Sequence, residues 1–403
     1  PPVVPANPAQ PVITTIPSTA ITITTNTAGQ TVANVDSRAI ATAVETLVKA
    51  ITNAGRTTAT QAAAVRIEVA AQTANMIVAL PADAMKILND NNVGQIIVAN
   101  GISYNIPAGA IGNSALAQYG EDAVLQISSK ILDTATALVG IEVDHFTKEV
   151  AKVIELSLDV LNAQGEILGK ISTFNKPIEI SLGLDDVNGD TDKLGVYFIN
   201  PDTGKPEFVG GRVVNDRLVI RLSHYSKYAV IEYNITFMDI ADHWAKKSIE
   251  SMAAKHVIHG YGDDTFLPEN NITRAEFAAM LVRVLELDAV AYNGSFADVK
   301  AADWYVDVVA TAAANGIIGG YPDGTFKPNQ SVTRLEMAAM LSNAIKDIPL
   351  SPDSINMLSG KYSDAADISE WGRSAVARVT QEDLMRGMEG GFNPAGKATR
   401  AQA

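Results

Sequence analysis

The sequence predicts a mixed, multi-domain chain: a β-sandwich-like (α+β) spacer of one or two modules, then an all-α region assembled from three repeats. Three observations carry that expectation. Between about residues 60 and 234, short β-branched or alternating runs follow one another at close turn signals, the texture of an antiparallel sandwich. From residue 237 onward, three sequence blocks return in the same order, which marks a repeat architecture. The chain is 47% hydrophobic and only 19% charged, enough apolar side chain to fill several cores.

Taken in order, residues 1–34 hold Pro1, Pro2, Pro5, Pro8, Pro11 and Pro17 among Thr, Ala and Asn. Proline at that density opposes helix and central strand, so the reading is an extended linker, with a strand at Ile21–Thr25 as its end. The spacer then spans 35–234. It opens on a helix over Asp36–Ala54, because Ile40, Val44, Leu47, Val48 and Ile51 recur at helical spacing between an Asp36 or Ser37 cap and the stop at Gly55.

Strands follow at 65–70, 75–81, 95–101, 123–129, 153–161, 178–184, 194–200, 217–223 and 227–233, with a short helix at Ala82–Asp90. Asn-Gly at 100–101 and 188–189, Pro201-Asp202 and Gly204 supply the turns.

The repeats are predicted over 237–290, 294–348 and 361–403, the third truncated before its second helix. Each opens on an aspartate followed by a tryptophan: Asp239 and Trp244, Asp298 and Trp304, Asp364 and Trp371. Each continues through a glycine-rich turn, Gly260-Tyr261-Gly262-Asp263-Asp264-Thr265-Phe266-Leu267-Pro268 and Gly320-Tyr321-Pro322-Asp323-Gly324-Thr325-Phe326-Lys327-Pro328, with a degenerate copy at 387–394. Then come Thr273-Arg274-Ala275-Glu276, Thr333-Arg334-Leu335-Glu336 and Thr399-Arg400-Ala401-Gln402. In the third copy Met388-Glu389 replaces Gly-Tyr and Gln402 replaces the acid.

Thr-x-x-Glu ahead of an apolar stripe is a capping box: the Thr hydroxyl accepts from the N3 amide and the N3 carboxylate reaches back to the cap amide. Thr273, Glu276, Thr333 and Glu336 thus have a sufficient structural explanation, and Thr399 with Gln402 can close the same box. Arg274, Arg334 and Arg400 do not, since neither cap nor stripe needs a cation at N1. Beside free helix N-terminal amides, a guanidinium there suits a carboxylate ligand, with a surface ion pair as the alternative. A tryptophan face can stack on a sugar ring or plug the seam between repeats. Asp239, Asp298 and Asp364 can accept sugar hydroxyls or cap a turn. Gly260 and Gly320 permit a tight turn that presents Tyr261 and Tyr321, while Phe266, Phe326 and Phe392 read as core.

These blocks resemble the S-layer homology (SLH) family, and the residues before them, down to His224–Val230, resemble the β-rich modules that often precede such repeats. The resemblance implies a pseudo-trimeric helical spindle with glycan grooves between its lobes. It implies non-covalent anchoring to the bacterial cell wall, as part of an S-layer or S-layer-associated protein with self-association in a lattice as a further expectation. It implies a secondary cell-wall polysaccharide, often pyruvylated, as partner. By the same resemblance Arg274, Arg334 and Arg400 contact the ligand's carboxylates. An alternative is the anchor of a secreted enzyme, such as a glycoside hydrolase, with its catalytic module upstream. A tether to a diderm outer membrane, where a single unit precedes a β-barrel, fits less well, because the repeats here are multiple and C-terminal.

Charge and motifs narrow the remaining classes. A formal net charge of −14 gives no basic field for nucleic acid. No apolar run reaches the roughly 18 residues of a membrane span. Pro1–Pro5 carries no initiator Met or signal features, so the chain reads as a piece of something longer from an extracellular location. No cysteine is present, which excludes disulfides and thiolate metal sites. No nucleophile elbow, phosphate loop or zinc-protease motif occurs, and no catalytic residue or obligatory cofactor is expected. The segment Asp186, Asn188, Asp190, Asp192 begins like a calcium loop, but Thr191 and Tyr197 stand where that loop needs Gly and Glu. A weakly calcium-binding acidic turn stays open there.

Overall fold

A computed structural model describes residues 11–59, 62–70, 75–137, 141, 146–185, 187 and 189–403. These fall into two compact units that divide between Asn234 and Ile235.

The first unit begins with strands β1 (Val12–Thr15), β2 (Ile21–Thr25) and β3 (Thr31–Val35), then helix α1 (Ser37–Asn53). There follow β4 (Ala63–Glu68), β5 (Asn75–Pro81), α2 (Ala82–Asp90), β6 (Gly94–Ala99), β7 (Ile102–Ile106), α3 (Asn113–Ala117), β8 (Val124–Leu132) and α4 (Thr134–Ala137). The second half carries β9 (Thr147–Leu161), β10 (Ile167–Lys170), β11 (Thr173–Gly183), β12 (Leu194–Ile199), β13 (Pro206–Gly210), β14 (Arg212–Val214), β15 (Arg217–His224) and β16 (Lys227–Tyr233), with one 3-10 turn at Thr191–Lys193.

Two sheets result, ordered β1-β4-β6-β7-β11-β15-β14 and β13-β12-β16-β9-β8-β5-β3-β2. Inward residues of both, such as Val65, Ile97 and Ile180 from one and Val78, Ile127 and Leu158 from the other, share a single core. The sandwich-like expectation holds at that level, but three strand pairs are parallel: β1 with β4, β4 with β6, and β3 with β5. The purely antiparallel reading is therefore corrected. Parallel neighbours need crossovers, and α1 and α2 provide them. Helix α1 packs Ile40, Val44, Leu47 and Ile51 inward, as its spacing predicts, and Asp36 accepts from the amide of Ala39 at its start.

The linker reading of 1–34 is also corrected for its described part. Pro11 and Pro17 flank β1 instead of interrupting it, where a missing N–H costs no ladder bond. The acidic segment falls partly outside the described residues, at Asp186 and Asn188. Of the rest, Asp190 accepts from the amide of Asp192 as a turn cap. Among the described residues no group of three or more acidic or histidine side chains gathers as a metal site, and no helix is long and apolar enough to cross a membrane.

The second unit holds α5 (Lys246–Ala254), α6 (Arg274–Val284), α7 (Val306–Ala314), α8 (Arg334–Ala344), α9 (Ser354–Lys361) and α10 (Glu370–Gln381). α5 with α6 and α7 with α8 are the first two repeats; α10 opens the third, and α9 lies in the insertion ahead of it. Phe266, Phe326 and Phe392 are buried in the cores, as expected.

Candidate ligand grooves between the repeats

The repeats close on one another through main chain. The amide of Ile272 donates to the carbonyl of Ala398 at 3.0 Å, that of Val332 to Ile272 at 3.0 Å, and that of Ala398 to Val332 at 3.2 Å. One residue from each repeat thus completes a three-membered ring of bonds.

The next amides continue the pattern. Those of Arg274 and Ala275 donate to Gln330 and Pro328, those of Arg334 and Leu335 to Gly396 and Pro394, and those of Arg400 and Ala401 to Asn270 and Pro268. The expectation of free amides beside each arginine is corrected here: a neighbouring repeat's carbonyls occupy them.

The arginine side chains make the same crossing. Arg274 donates from Nε to the carbonyl of Phe326 at 2.8 Å and from Nη2 to that of Gly319 at 3.3 Å. Arg334 does so to Phe392 at 2.8 Å and Arg386 at 2.6 Å, and Arg400 to Phe266 at 2.9 Å and His259 at 2.9 Å. Each guanidinium also lies over the phenylalanine whose carbonyl it holds, 4.5–5.1 Å from the ring centroid. Arg274 and Arg334 are only 4% and 5% exposed, so these are clamps between repeats first of all. Two of them face a carboxylate as well: Arg274 reaches Glu336 at 3.2 Å and Arg400 reaches Glu276 at 3.1 Å. Those acids are the capping-box residues, and both boxes are complete. Burial pushes the Glu336 carboxyl up, but bonds from Tyr321 and Thr333 and the charge of Arg274 outweigh it and hold the group below its ordinary value.

The three aspartates cap turns. Asp239 accepts from the amides of Phe266 and Leu267 at 2.9 and 2.7 Å. Asp298 does the same for Phe326 and Lys327, and Asp364 for Phe392 and Asn393. Leu267, Lys327 and Asn393 all have positive φ, at 56°, 55° and 57°. A left-handed Leu or Lys is unfavourable alone, so each carboxylate holds a strained residue in place.

The turn glycines are just as constrained. A Cβ on Gly320 would lie 2.6 Å from the Phe296 ring and 2.9 Å from the carbonyl of Thr325; on Gly260 it would lie 2.2 Å from Phe237. Gly320→Ala is expected to lower stability by about 2 kcal/mol through overpacking, measurable as a shifted urea midpoint.

The tryptophans face outward: Trp244, Trp304 and Trp371 are 72%, 60% and 63% exposed. They do not plug the seams. Trp244 and Trp304 also precede their helices, which start at Lys246 and Val306, and only Trp371 sits in a first turn, after the cap position Ser369. One groove of about 260 Å³ draws on all three repeats: His259, Tyr261, Glu276 and Arg283 from the first, Trp304 from the second and Arg400 from the third. The repeat comparison passes over Arg283, because the second copy holds Asn343 in its place, and over His259, because Gly319 and Arg386 stand there.

The corresponding positions in the second groove are Tyr321, Glu336 and Arg274, with the tyrosine hydroxyl donating to Glu336. At the third, Met388 and Gln402 replace tyrosine and acid, and no carboxylate within ion-pair distance of Arg334 occurs among the described residues. Gln402 still accepts from the amide of Thr399 at 3.1 Å, one arm of the predicted box.

Residues 236–278, 295–338 and 361–403 match the S-layer homology domain family. The second unit is thus built of three S-layer homology domains. The chain is 35% identical over 317 residues to an amylopullulanase of Thermoanaerobacterium thermosulfurigenes, covering 70% of this chain and 17% of that protein. It is 32% identical over 166 residues to a surface-layer 125 kDa protein of Lysinibacillus sphaericus, covering 39% and 13%. To a cellulosome-anchoring protein of Acetivibrio thermocellus it is 36% identical over 122 residues, covering 29% and 27%. The chain spans less than a third of each of these relatives. The 317 residues of the first likeness cannot fit within 235–403, so it extends into the β-rich unit.

Proposed function

We propose that this chain fastens a surface protein to the bacterial cell wall, its S-layer homology domains taking a secondary cell-wall polysaccharide in the grooves between repeats. The observation that carries the reading is the groove itself, where an outward-facing tryptophan, a tyrosine and an arginine-carboxylate pair from three repeats converge. An indole face stacks on the apolar face of a sugar ring, and the polar pair offers directed bonds to hydroxyls or to an acidic substituent such as a pyruvyl ketal. The remaining N–H groups of Arg400, which lines the groove, are donors for that acid. Asp239, Asp298 and Asp364 act indirectly, by holding the turns. The site is extracellular, at the wall, and the β-rich unit is a spacer.

A second reading keeps the anchor and changes its cargo. The likeness to an amylopullulanase runs through both units, which favours attachment of a glycan-degrading enzyme whose catalytic part lies elsewhere in the full protein. The S-layer homology domains serve as the anchor in either case.

Co-sedimentation with cell-wall sacculi tests the proposal. The arginines are poor probes, since their loss unlocks the fold; the exposed tryptophans are clean ones. Trp304→Ala with Trp371→Ala is expected to weaken binding at least about tenfold without moving the melting temperature. Equal binding by wild type and variant, or binding to sacculi stripped of polysaccharide, would overturn it.

A further inference from the structure

We propose that the groove behind Tyr261 contains an anion subsite formed by Arg283 and His259, which makes it the acid-selective groove and lets proton uptake tighten its grip. The inference rests on the wall-binding reading and concerns which part of the polysaccharide this groove takes.

Arg283 stands in the last turn of α6 and lines the groove with His259, Glu276 and Arg400. Its Nη1 donates to the carbonyl of Val257 at 3.1 Å, which fixes the guanidinium near His259. No carboxylate pairs with it among the described residues. The groove's own acid, Glu276, is already held by Arg400 at 3.1 Å and by the amide of Thr273 at 2.8 Å. In a chain of net charge −14, two guanidinium groups around one engaged carboxylate reverse the local sign. Charge of that kind, left without an internal partner, is matched from outside.

The second repeat shows that packing does not require the charge. Asn343 occupies the place of Arg283 and makes the same bond, to the carbonyl of Ile317 at 3.0 Å. Gly319 occupies the place of His259, each giving its carbonyl to a clamp arginine. In the third repeat Arg386 takes that place, but its guanidinium is paired with Asp383 at 2.8 Å. Of the first two grooves, the first carries a cation without a carboxylate partner at this point.

The groups facing His259 are Arg283, Arg400, Glu276, the Tyr261 phenol and the His256 ring, whose centroid is 6.4 Å away. Burial, and then the charge of Arg283, hold the imidazole below its ordinary value. It is neutral at pH 7.5, and a bound anion favours its protonation. Binding therefore takes up a proton, and affinity rises as pH falls from neutral into the imidazole's titration range, in which carboxylates and phosphodiesters stay ionised.

The test uses the whole chain, sedimented with sacculi that retain their polysaccharide, at pH 7.5 and pH 5.5. Wild type is expected to bind severalfold tighter at pH 5.5. His259→Gly should bind equally at both, and Arg283→Asn should bind about tenfold more weakly at both. Each variant borrows the residue of the second repeat, and circular dichroism confirms its fold. Asn343→Arg should add binding. Sacculi amidated with carbodiimide and ethanolamine identify the anion: loss of the Arg283 dependence assigns a carboxylate, and its persistence assigns a phosphodiester. If His259→Gly and Arg283→Asn match wild type at both pH values, the subsite falls and the anchor reading stands. If wild type does not sediment at either pH, both fall.

Discussion

Arg274→Ala is expected to destabilise the C-terminal unit by roughly 3–5 kcal/mol, the cost of removing one partner from a buried charged network. The substitution strands the carbonyls of Phe326 and Gly319 and leaves Glu336, 15% exposed at its side chain, without its guanidinium. It also takes a planar cation off the rings of Tyr321 and Phe326, each 4.8 Å away. Lysine should rescue little, because an ammonium cannot reproduce the guanidinium's fixed fork. Urea unfolding followed at the tryptophans, which all lie in this unit, gives the measurement. A loss below about 1 kcal/mol would contradict the clamp and return Arg274 to the role of a solvent-facing ligand group.

Asp298→Ala is expected to cost about 3 kcal/mol, since charge-assisted bonds to a carboxylate contribute about 1.5–3 kcal/mol each and two amides lose theirs together. The amides are those of Phe326 and Lys327, both at 2.8 Å. Lys327 would lose the support for its left-handed backbone at the same moment. Lys327→Gly, which relieves that strain, should recover part of the loss in the Asp298→Ala background and little in wild type. Additive effects in this double-mutant cycle would mean that the carboxylate does not hold the turn.

Much of this was legible in the sequence, and the rest was hidden for definite reasons. The capping boxes at Thr273 and Thr333 form as read because their information lies within four residues. Helix α1 and the strands from β8 to β16 that carry clear alternation were found for the same reason. Parallel pairing of β3 with β5 was not, because local periodicity is silent on which strands become neighbours. Val12–Thr15 was masked by its flanking prolines, which end a strand as readily as they forbid one.

A helix N-terminus is ordinarily open, which points the arginines at a ligand. Their partners lie 52, 58 and 134 residues away in sequence. One signal was present: every repeat pairs its arginine with the phenylalanine of the turn, even in the third copy, where Tyr and Glu are lost. A cation kept where its carboxylate partner is not suggests a structural duty. For the tryptophans the sequence permits stacking and plugging alike, and only exposure separates the two.

The three-bond ring through Ile272, Val332 and Ala398 has a consequence for how this unit comes apart. A solenoid can fray from either end and accept added repeats, because each repeat touches only its neighbours in sequence. Here the last segment is sewn to the first, so the array has no growing end and its copy number is set by geometry. Zippering from one repeat to the next cannot complete it: the contacts from Arg400 to Phe266 and His259 require loops of 134 and 141 residues to close. Such closure comes late and slows folding. Pulling on one repeat loads all three seams at once, a mechanical behaviour closer to a latch than to a chain of beads.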